Sequence, residues 1–294
     1  MTDFLNYAVN GILLGQLYAL VAMGFVVIYR ASKVFNFAQG EMVLLGGFLV
    51  WTFAIGLGVS PISALGLALI AGVLVGALIE RMFFSRLVGQ SAFAMVMVTV
   101  GLIVLLRGLM LRIWGAQERQ FPAILPLQPV IIGDFILPTS LLAGGACAML
   151  AAAALWWFFN RSRTGLALSA VSEDHEVAQS LGVSVHLAIA VAWMLGTALS
   201  VLGAAIYLSG KTLTFGASEI GFAALPLALL AGLESIGGLL LAGAIIGLVQ
   251  GLTAAYVDPT LGSNASLIVP YIFMLLVLFV RPTGLFGWTR IERV

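Results

Sequence analysis

The sequence predicts an all-α integral membrane protein, a polytopic bundle of about eight or nine transmembrane helices in one domain covering residues 1–294. Three observations carry this. Of the 294 residues, 62% are hydrophobic and only 9% charged, where a soluble chain carries about 25% charged residues. Mean hydropathy is +1.15. Apolar runs of about 20 residues, the length that crosses a bilayer, recur along the chain. So few charges cannot clothe a water-facing surface, and lipid takes water's place around the apolar faces. No stretch suffices for a separate soluble domain, so an activity such as ATP hydrolysis must come from another chain.

Nine apolar segments follow in order, near 5–29, 37–57, 61–80, 92–112, 138–159, 187–209, 222–233, 237–257 and 265–281. The first follows Met1-Thr2-Asp3 with no basic stretch ahead of it and is read as a true first span, not a cleaved leader. The seventh is too short to cross alone; it forms a unit with the eighth or a half-helix inside the bundle. Between the fourth and fifth, residues 113–137 carry Pro122, Pro126 and Pro129, with Pro138 just beyond. Proline resists helix formation, so this is expected to be an ordered surface connector, with docking of an outside partner as one use for it.

Basic residues set the orientation. With the N-terminus outside, Arg30, Lys33, Arg81, Arg86, Arg161, Arg163, Arg281, Arg290 and Arg293 face the cytoplasm, nine of the 13 Lys and Arg. The 113–137 connector is then external, while 160–186 and the C-terminus are internal. Arg107 and Arg112 lie in or at the end of the fourth span and are expected to snorkel outward. A net charge of +1 offers no nucleic-acid footprint. Cys147 is alone in an apolar run and reads as a small packing residue. His175 and His186 are the only histidines and have no ligand-like spacing, so no metal site is expected. No GxxxxGK[ST] stretch is present for ATP.

Three polar stretches interrupt this pattern. In Asn36-Phe37-Ala38-Gln39-Gly40-Glu41, polar side chains and glycine meet between the first two spans. Irregular backbone at membrane depth survives only when buried in protein or lining a wet cavity. The stretch is therefore a broken helix beside a translocation path, or a cytoplasmic turn with Glu41 at the positive end of the next helix. The second, Gly232-Leu233-Glu234-Ser235-Ile236-Gly237-Gly238, is a second lining element or an ordinary turn with a solvated Glu234. A carboxylate beside glycines near 36–47 and again near 232–243 makes a faint two-fold echo, so broken helices in an inverted repeat are expected. The third stretch lies in the internal loop. There Ser172 to Gly182 reads as a short helix with Glu173, Asp174 and Glu176 in its first turn. His175 lies among them, Val177, Ala178 and Leu181 share a face, and Gly182 closes the helix. Such a helix suits a partner's groove; its acidity disfavours an anionic lipid surface.

Several stretches, in order, resemble one family. They are Gly15-Gln16-Leu17-Tyr18-Ala19-Leu20, Gly24 to Tyr29, Asn36 to Glu41, Thr99-Val100-Gly101-Leu102, Trp114-Gly115, Thr164-Gly165 with Ala170, Val171, Asp174, Ala178, Leu181 and Gly182, and Arg281-Pro282-Thr283-Gly284-Leu285-Phe286-Gly287. Together they resemble the LivH-type permeases of branched-chain amino-acid ABC importers, nearly end to end. Gln39 stands where that family often has His, and Glu234 where it usually has Gly.

The resemblance implies an inner-membrane permease subunit without its own ATPase site or cofactor, ATP being used by partner subunits. Those partners would be a second permease subunit, two ATP-binding cassette subunits and a periplasmic solute-binding protein. The expected cargo is a small polar solute, a branched-chain amino acid first, with urea, amides or other small carboxylates as alternatives. Asn36, Phe37, Gln39, Gly40, Glu41, Glu234, Ser235, Gly237 and Gly238 would line the path. Glu173, Asp174, His175, Ala178, Leu181 and Gly182 would form the ATPase-coupling helix. The competing reading is a secondary transporter or channel, working without ATP and using Glu41 and Glu234 as ion sites.

Overall fold

The chain threads α1 (Thr2–Ser32), α2 (Gln39–Trp51), α3 (Pro61–Ile79), α4 (Ala92–Trp114), α5 (Thr139–Arg161), the short α6 (Arg163–Glu173) and α7 (His175–Ser180), then α8 (Val185–Leu208), α9 (Glu219–Leu230), α10 (Ile236–Tyr256), α11 (Asp258–Leu261) and α12 (Val269–Val280). This computed structural model describes residues 2–87, 90–173, 175–180 and 182–287. Wide π-helical turns extend α2 to Gly56 and α3 to Phe84. Among the described residues, seven helices are long and apolar enough to cross a membrane, and two apolar helical stretches, Phe215–Leu230 and Ala265–Val280, are shorter. The polytopic all-α class is as the sequence predicts. The segment at 222–233 is one of the short ones, as expected. The segment at 265–281 is short as well, because Pro270 and a tight 3₁₀ turn at Ala265–Leu267 open it.

Serines start the long helices by accepting the orphan N–H groups of the first turn. Ser60 caps α3 with Pro61 behind it, Ser91 caps α4, Ser184 caps α8 and Ser235 caps α10. The helices then divide by burial. The most apolar window of α1 is 83% buried, against 28% for α3 and α5 and 22% for α4. Ile62, Ile70 and Leu74 on α3, Val104 on α4, Leu150 and Trp156 on α5, and Phe279 on α12 all stand exposed. Chemically these are lipid-facing surfaces, and α1, α2, α8 and α10 form the inner layer.

That inner layer depends on glycine. Gly11 and Gly15 on α1 oppose Gly243, Gly247 and Gly251 on α10, at four-residue spacing on both sides. A Cβ on Gly15 would lie 1.8 Å from the Gly243 carbonyl oxygen, and one on Gly247 would lie 2.2 Å from the Gly11 carbonyl oxygen. Lipid gives no hydrophobic drive for two apolar helices to associate, so close backbone approach through small residues supplies it. The spacing is visible in the sequence, but only the fold shows which glycine stripes face each other. On α3, Gly72 and Gly76 meet Val201, Thr197 and Trp193 of α8 in the same way.

Helix direction brings the described basic residues Arg30, Lys33, Arg81, Arg86, Arg161, Arg163 and Arg281 to one end of the bundle. Arg30 donates to Ser169 Oγ on α6 at 3.2 Å and lies over the Phe159 ring. The opposite end carries the proline-bearing connector, which is ordered. It supplies three short strands, β1 (Arg119–Gln120), β2 (Val130–Ile132) and β3 (Phe135–Leu137), and the segment after α8 supplies a fourth, β4 (Thr212–Leu213). β1 pairs with β4, and β2 with β3 through a turn at Gly133. Asn6 on α1 holds the hairpin by donating to the Asp134 carbonyl at 2.8 Å and accepting from the Ile136 N–H at 3.0 Å.

Candidate functional site

The first polar stretch does not turn outside the bundle. After Ser32 the chain climbs back beside α1, and α2 begins with Gln39 level with Val21. Eleven residues of α1 separate that level from Ser32, roughly 16 Å of helix. α2 thus starts inside the packed bundle, beside the middle of α1 and not at its end.

Its polar groups are buried and mutually satisfied. Asn36 and Gln39 are fully buried. Asn36 Oδ1 accepts from the Ala38 N–H at 3.1 Å, which fixes the turn, and Asn36 Nδ2 donates to Gln39 Oε1 at 3.2 Å. Gln39 Nε2 donates to Ser200 Oγ on α8 at 2.9 Å and to the Val21 carbonyl at 3.3 Å. Gly24 makes room for that amide, since a Cβ there would sit 2.0 Å from Gln39 Nε2. Phe37 points to the exterior of the chain, edge-on to Phe35. Its N–H donates to Thr99 Oγ1 on α4 at 3.3 Å.

Two residues further, in the same turn of α2, Glu41 is buried and pairs through Oε1 with Arg107 Nη2 at 3.2 Å. Arg107 also donates to Ser218 Oγ at 2.9 Å and to the Phe215 carbonyl at 3.2 Å. The expectation that Arg107 snorkels outward is therefore corrected. A carboxylate and two further acceptors inside the bundle offer it better partners than the membrane surface. Glu41 Oε2 is buried with no hydrogen-bond partner.

Ser218 introduces the second half of the site. A 3₁₀ turn at Phe215–Ser218 leads into α9, whose first turn meets the first turn of α2. A Cβ on Gly40 would lie 2.3 Å from the Ser218 carbonyl oxygen, and one on Gly221 would lie 2.4 Å from Gly40 Cα. From this crossing α2 runs toward Leu208 and Leu213 near the hairpin end, while α9 runs toward the basic end. Two short helices of opposite direction thus bring their N-termini together inside the bundle. The segment answering 36–41 is 214–221, which sequence reading missed. Its only signal was Ser218-Glu219 at the start of an apolar run.

Gly232 to Gly238 lies elsewhere, at the basic end. Glu234 forms an ion pair with Lys33, each side chain about one-third exposed (32% for Lys33, 30% for Glu234). Lys33 and Leu233 hold positive φ angles of 53° and 61° in the two turns that this pair ties together. Ser235 caps α10 by accepting from the Gly238 N–H at 3.0 Å. Gly237 faces open space, and Gly238 packs against Phe286.

In the loop before α8, α6 and α7 flank Asp174, which with Leu181 lies outside the described residues, as do the side chains of Glu173 and His175. Gly182 has φ +82°, with its N–H on the Gln179 carbonyl and the Val183 N–H on the Ala178 carbonyl. This is the left-handed glycine end the sequence suggested. Ala178 packs inward, but Val177 beside it is 54% exposed, so the two do not share one buried face. Among the described residues no cluster of three metal-ligating side chains occurs.

Helix N-termini that meet inside a polytopic bundle recur in membrane transport proteins. The family described as branched-chain amino acid transport system, permease component, matches residues 7–278, and the chain belongs to it. It is 26% identical to the high-affinity branched-chain amino acid transport system permease protein BraD of Pseudomonas aeruginosa, over 99% of this chain and 98% of that one. It is 27% identical to LivH of Escherichia coli K12 over the same shares, and 24% identical to a probable LivH of Methanocaldococcus jannaschii over 97% and 94%. No solved structure matches.

Proposed function

We propose that the chain is the permease subunit of an ABC importer of the bacterial inner membrane, with its N-terminus outside and its C-terminus in the cytoplasm. It works with a second permease subunit, two ATP-binding cassette subunits and a periplasmic solute-binding protein. Its cargo is a small polar solute, a branched-chain amino acid in the first instance, as the names of its relatives state for them. The observation that carries this reading is the meeting of α2 and α9 at Gly40 and Gly221, with Glu41 and Arg107 beside it. The positive ends of two helices and an unpartnered carboxylate oxygen suit a polar solute passing through an apolar slab.

Energy enters through the loop before α8. Residues Glu173 to Gly182 dock the ATPase, and the Arg30 contact with Ser169 and Phe159 passes its movement to the end of α1. From there the link to Asn36 and α2 is a few residues of chain. Glu234 and Lys33 clasp the same end, so Glu234, Ser235, Gly237 and Gly238 act at the cytoplasmic mouth.

The test is uptake in proteoliposomes holding the full complex, with Glu173→Lys and Asp174→Lys in the loop. Loss of ATP-driven uptake with the chain still folded is expected. Uptake driven by an ion gradient in this chain alone would replace the importer with the ATP-independent alternative. For the path, cysteines at Asn36, Gln39, Glu41 and Gly237 should react with water-soluble thiol reagents during turnover. Silence at Asn36, Gln39 and Glu41 from both sides would remove them from the path.

A further inference from the structure

The β2–β3 hairpin stands on the flank of α1, and three hydrogen bonds fix its depth. Asn6 Nδ2 donates to the Asp134 carbonyl at 2.8 Å, and Asn6 Oδ1 accepts from the Ile136 N–H at 3.0 Å. Asn10 Nδ2 donates to the Ile136 carbonyl at 3.1 Å. β3 therefore runs beside the first turns of α1. α5, which follows at Thr139, packs deeper, with Gly144 against Leu17 and Gly145 against Leu13. The hairpin fills the height that α5 leaves open. Phe4, Leu5 and Tyr7 lie around Asn6 at this level, all exposed, and the Tyr256 ring of α10 is 5.9 Å from that of Tyr7. Tyrosines collect at the membrane–water boundary, where one end of the ring is apolar and the other wet.

The hairpin's own chemistry matches that level. Both backbone groups of Ile136 bond to α1, so they point away from β2, and Ile131 opposite Ile136 is a non-hydrogen-bonded pair. The side chains of such a pair lie close together on one face. That face is open, with Ile131 67% and Ile136 56% exposed, whereas Leu137 on the other face is buried. Ile132 beside the turn is exposed too. The strands carry no charge, and Asp134 in the turn is the one charged side chain of residues 130–137. A bare apolar ribbon of two strands suits water poorly. It suits the hydrocarbon core no better, because the backbone of Ile131 faces the free edge of β2, and open sheet edges do not occur in hydrocarbon. The headgroup layer meets both demands, with acyl chains for the isoleucines and water for the edge. The chain also passes from Leu137 directly into α5, whose Leu150 faces lipid.

We propose that the β2–β3 hairpin is a lipid-surface anchor. Ile131, Ile132 and Ile136 seat in the headgroup layer at this end of the bundle, and Asn6 and Asn10 hold the hairpin at that depth. The anchor is independent of cargo and of energy source. It takes residues 130–137 out of the part of the connector that is open to a soluble partner.

The test uses the full chain in lipid nanodiscs, where water reaches both faces. Ile131→Cys, Ile136→Cys and a reference, Glu118→Cys, exposed in the same connector, are each made in a Cys147→Ala background. Each thiol carries an environment-sensitive nitrobenzoxadiazole label. Iodide should quench the labels of Ile131→Cys and Ile136→Cys several-fold less than that of Glu118→Cys. Lipids spin-labelled near the headgroup should quench those two labels several-fold more than lipids spin-labelled near the chain end. All three substitutions are at exposed positions, so the folded chain is retained for the comparison. Equal iodide quenching at the three positions would overturn the anchor, and so would stronger quenching from the chain end. Shielding that arises only when a soluble receptor or another subunit is added would overturn it and give the face to a protein partner. Shielding from iodide with no quenching by either lipid would overturn it in favour of contact between copies of this chain.

Discussion

The two glycine-rich polar interruptions of this chain look alike as text and differ as structure. Asn36 to Glu41 lies inside the bundle, its amides buried and bonded across three helices. Gly232 to Gly238 lies at the bundle end, its carboxylate part-exposed and its serine used as a helix cap. The same residue types do opposite work because depth sets the cost of a polar group. In a lipid-surrounded interior an unbonded amide costs several kcal/mol, so every donor at 36–41 must be placed. At the water-facing end solvent fills any gap, and the geometry is looser.

Substitutions can break this contrast. The largest effect is expected where α2 crosses α9. Gly40→Leu or Gly221→Leu drives a side chain into backbone and should destabilise the bundle by ~3 kcal/mol or more, read as loss of folded protein in detergent and of uptake. Gly237→Ala, with nothing within 4 Å, should leave both near wild type. Equal tolerance at both sites would erase the distinction.

Next comes Gln39→Leu, which leaves Asn36 Nδ2 with only the weak Met42 sulfur acceptor at 3.1 Å and removes the donor to Ser200 and to the Val21 carbonyl. It should cost about 1–3 kcal/mol, measured as a lower thermal midpoint in detergent. Gln39→His, the residue frequent in the resembling family, should recover most of that. A smaller loss is expected from Ser235→Ala, ~1 kcal/mol for a lost N-cap, with Ser235→Gly losing less. Smallest is the Lys33–Glu234 pair. Both groups are about one-third exposed (32% and 30%), so a double-mutant cycle with Lys33→Met and Glu234→Gln should give about 0–1 kcal/mol of coupling, falling with added salt. Coupling above that range, insensitive to salt, would mean that the turn is as dry as the first site.

Much of this was legible beforehand. The apolar segments at 5–29 and 61–80 each fall within one helix, and 187–209 overruns its helix by one residue, because twenty apolar residues in lipid have few other folds. The shortness of 222–233 was legible, but whether it joined the eighth segment or stood as a half-helix was left open. The buried fate of 36–41 could be raised as one of two alternatives but not chosen, since a turn outside the membrane uses the same letters. Arg107 was misplaced for a related reason. An arginine one turn or two from a helix end snorkels by default, and only Glu41, 66 residues earlier in the chain, redirects it. The two-fold echo was assigned to 232–243 because a carboxylate beside glycines matched by composition. The segment that meets 36–41 is 214–221, which matches by depth and direction instead.

By itself the sequence determined that this is a multi-span helical membrane protein, roughly where its apolar helices lie, and that the described basic residues mostly gather at one end. Those properties follow from composition and local hydropathy, and each residue contributes to them independently. Only the tertiary structure decided which polar groups are interior, that α2 and α9 start nose to nose at Gly40 and Gly221, and that Glu41 finds Arg107. Such facts depend on pairs of residues far apart in the chain, brought together by glycine stripes whose partners are unknown until the helices pack.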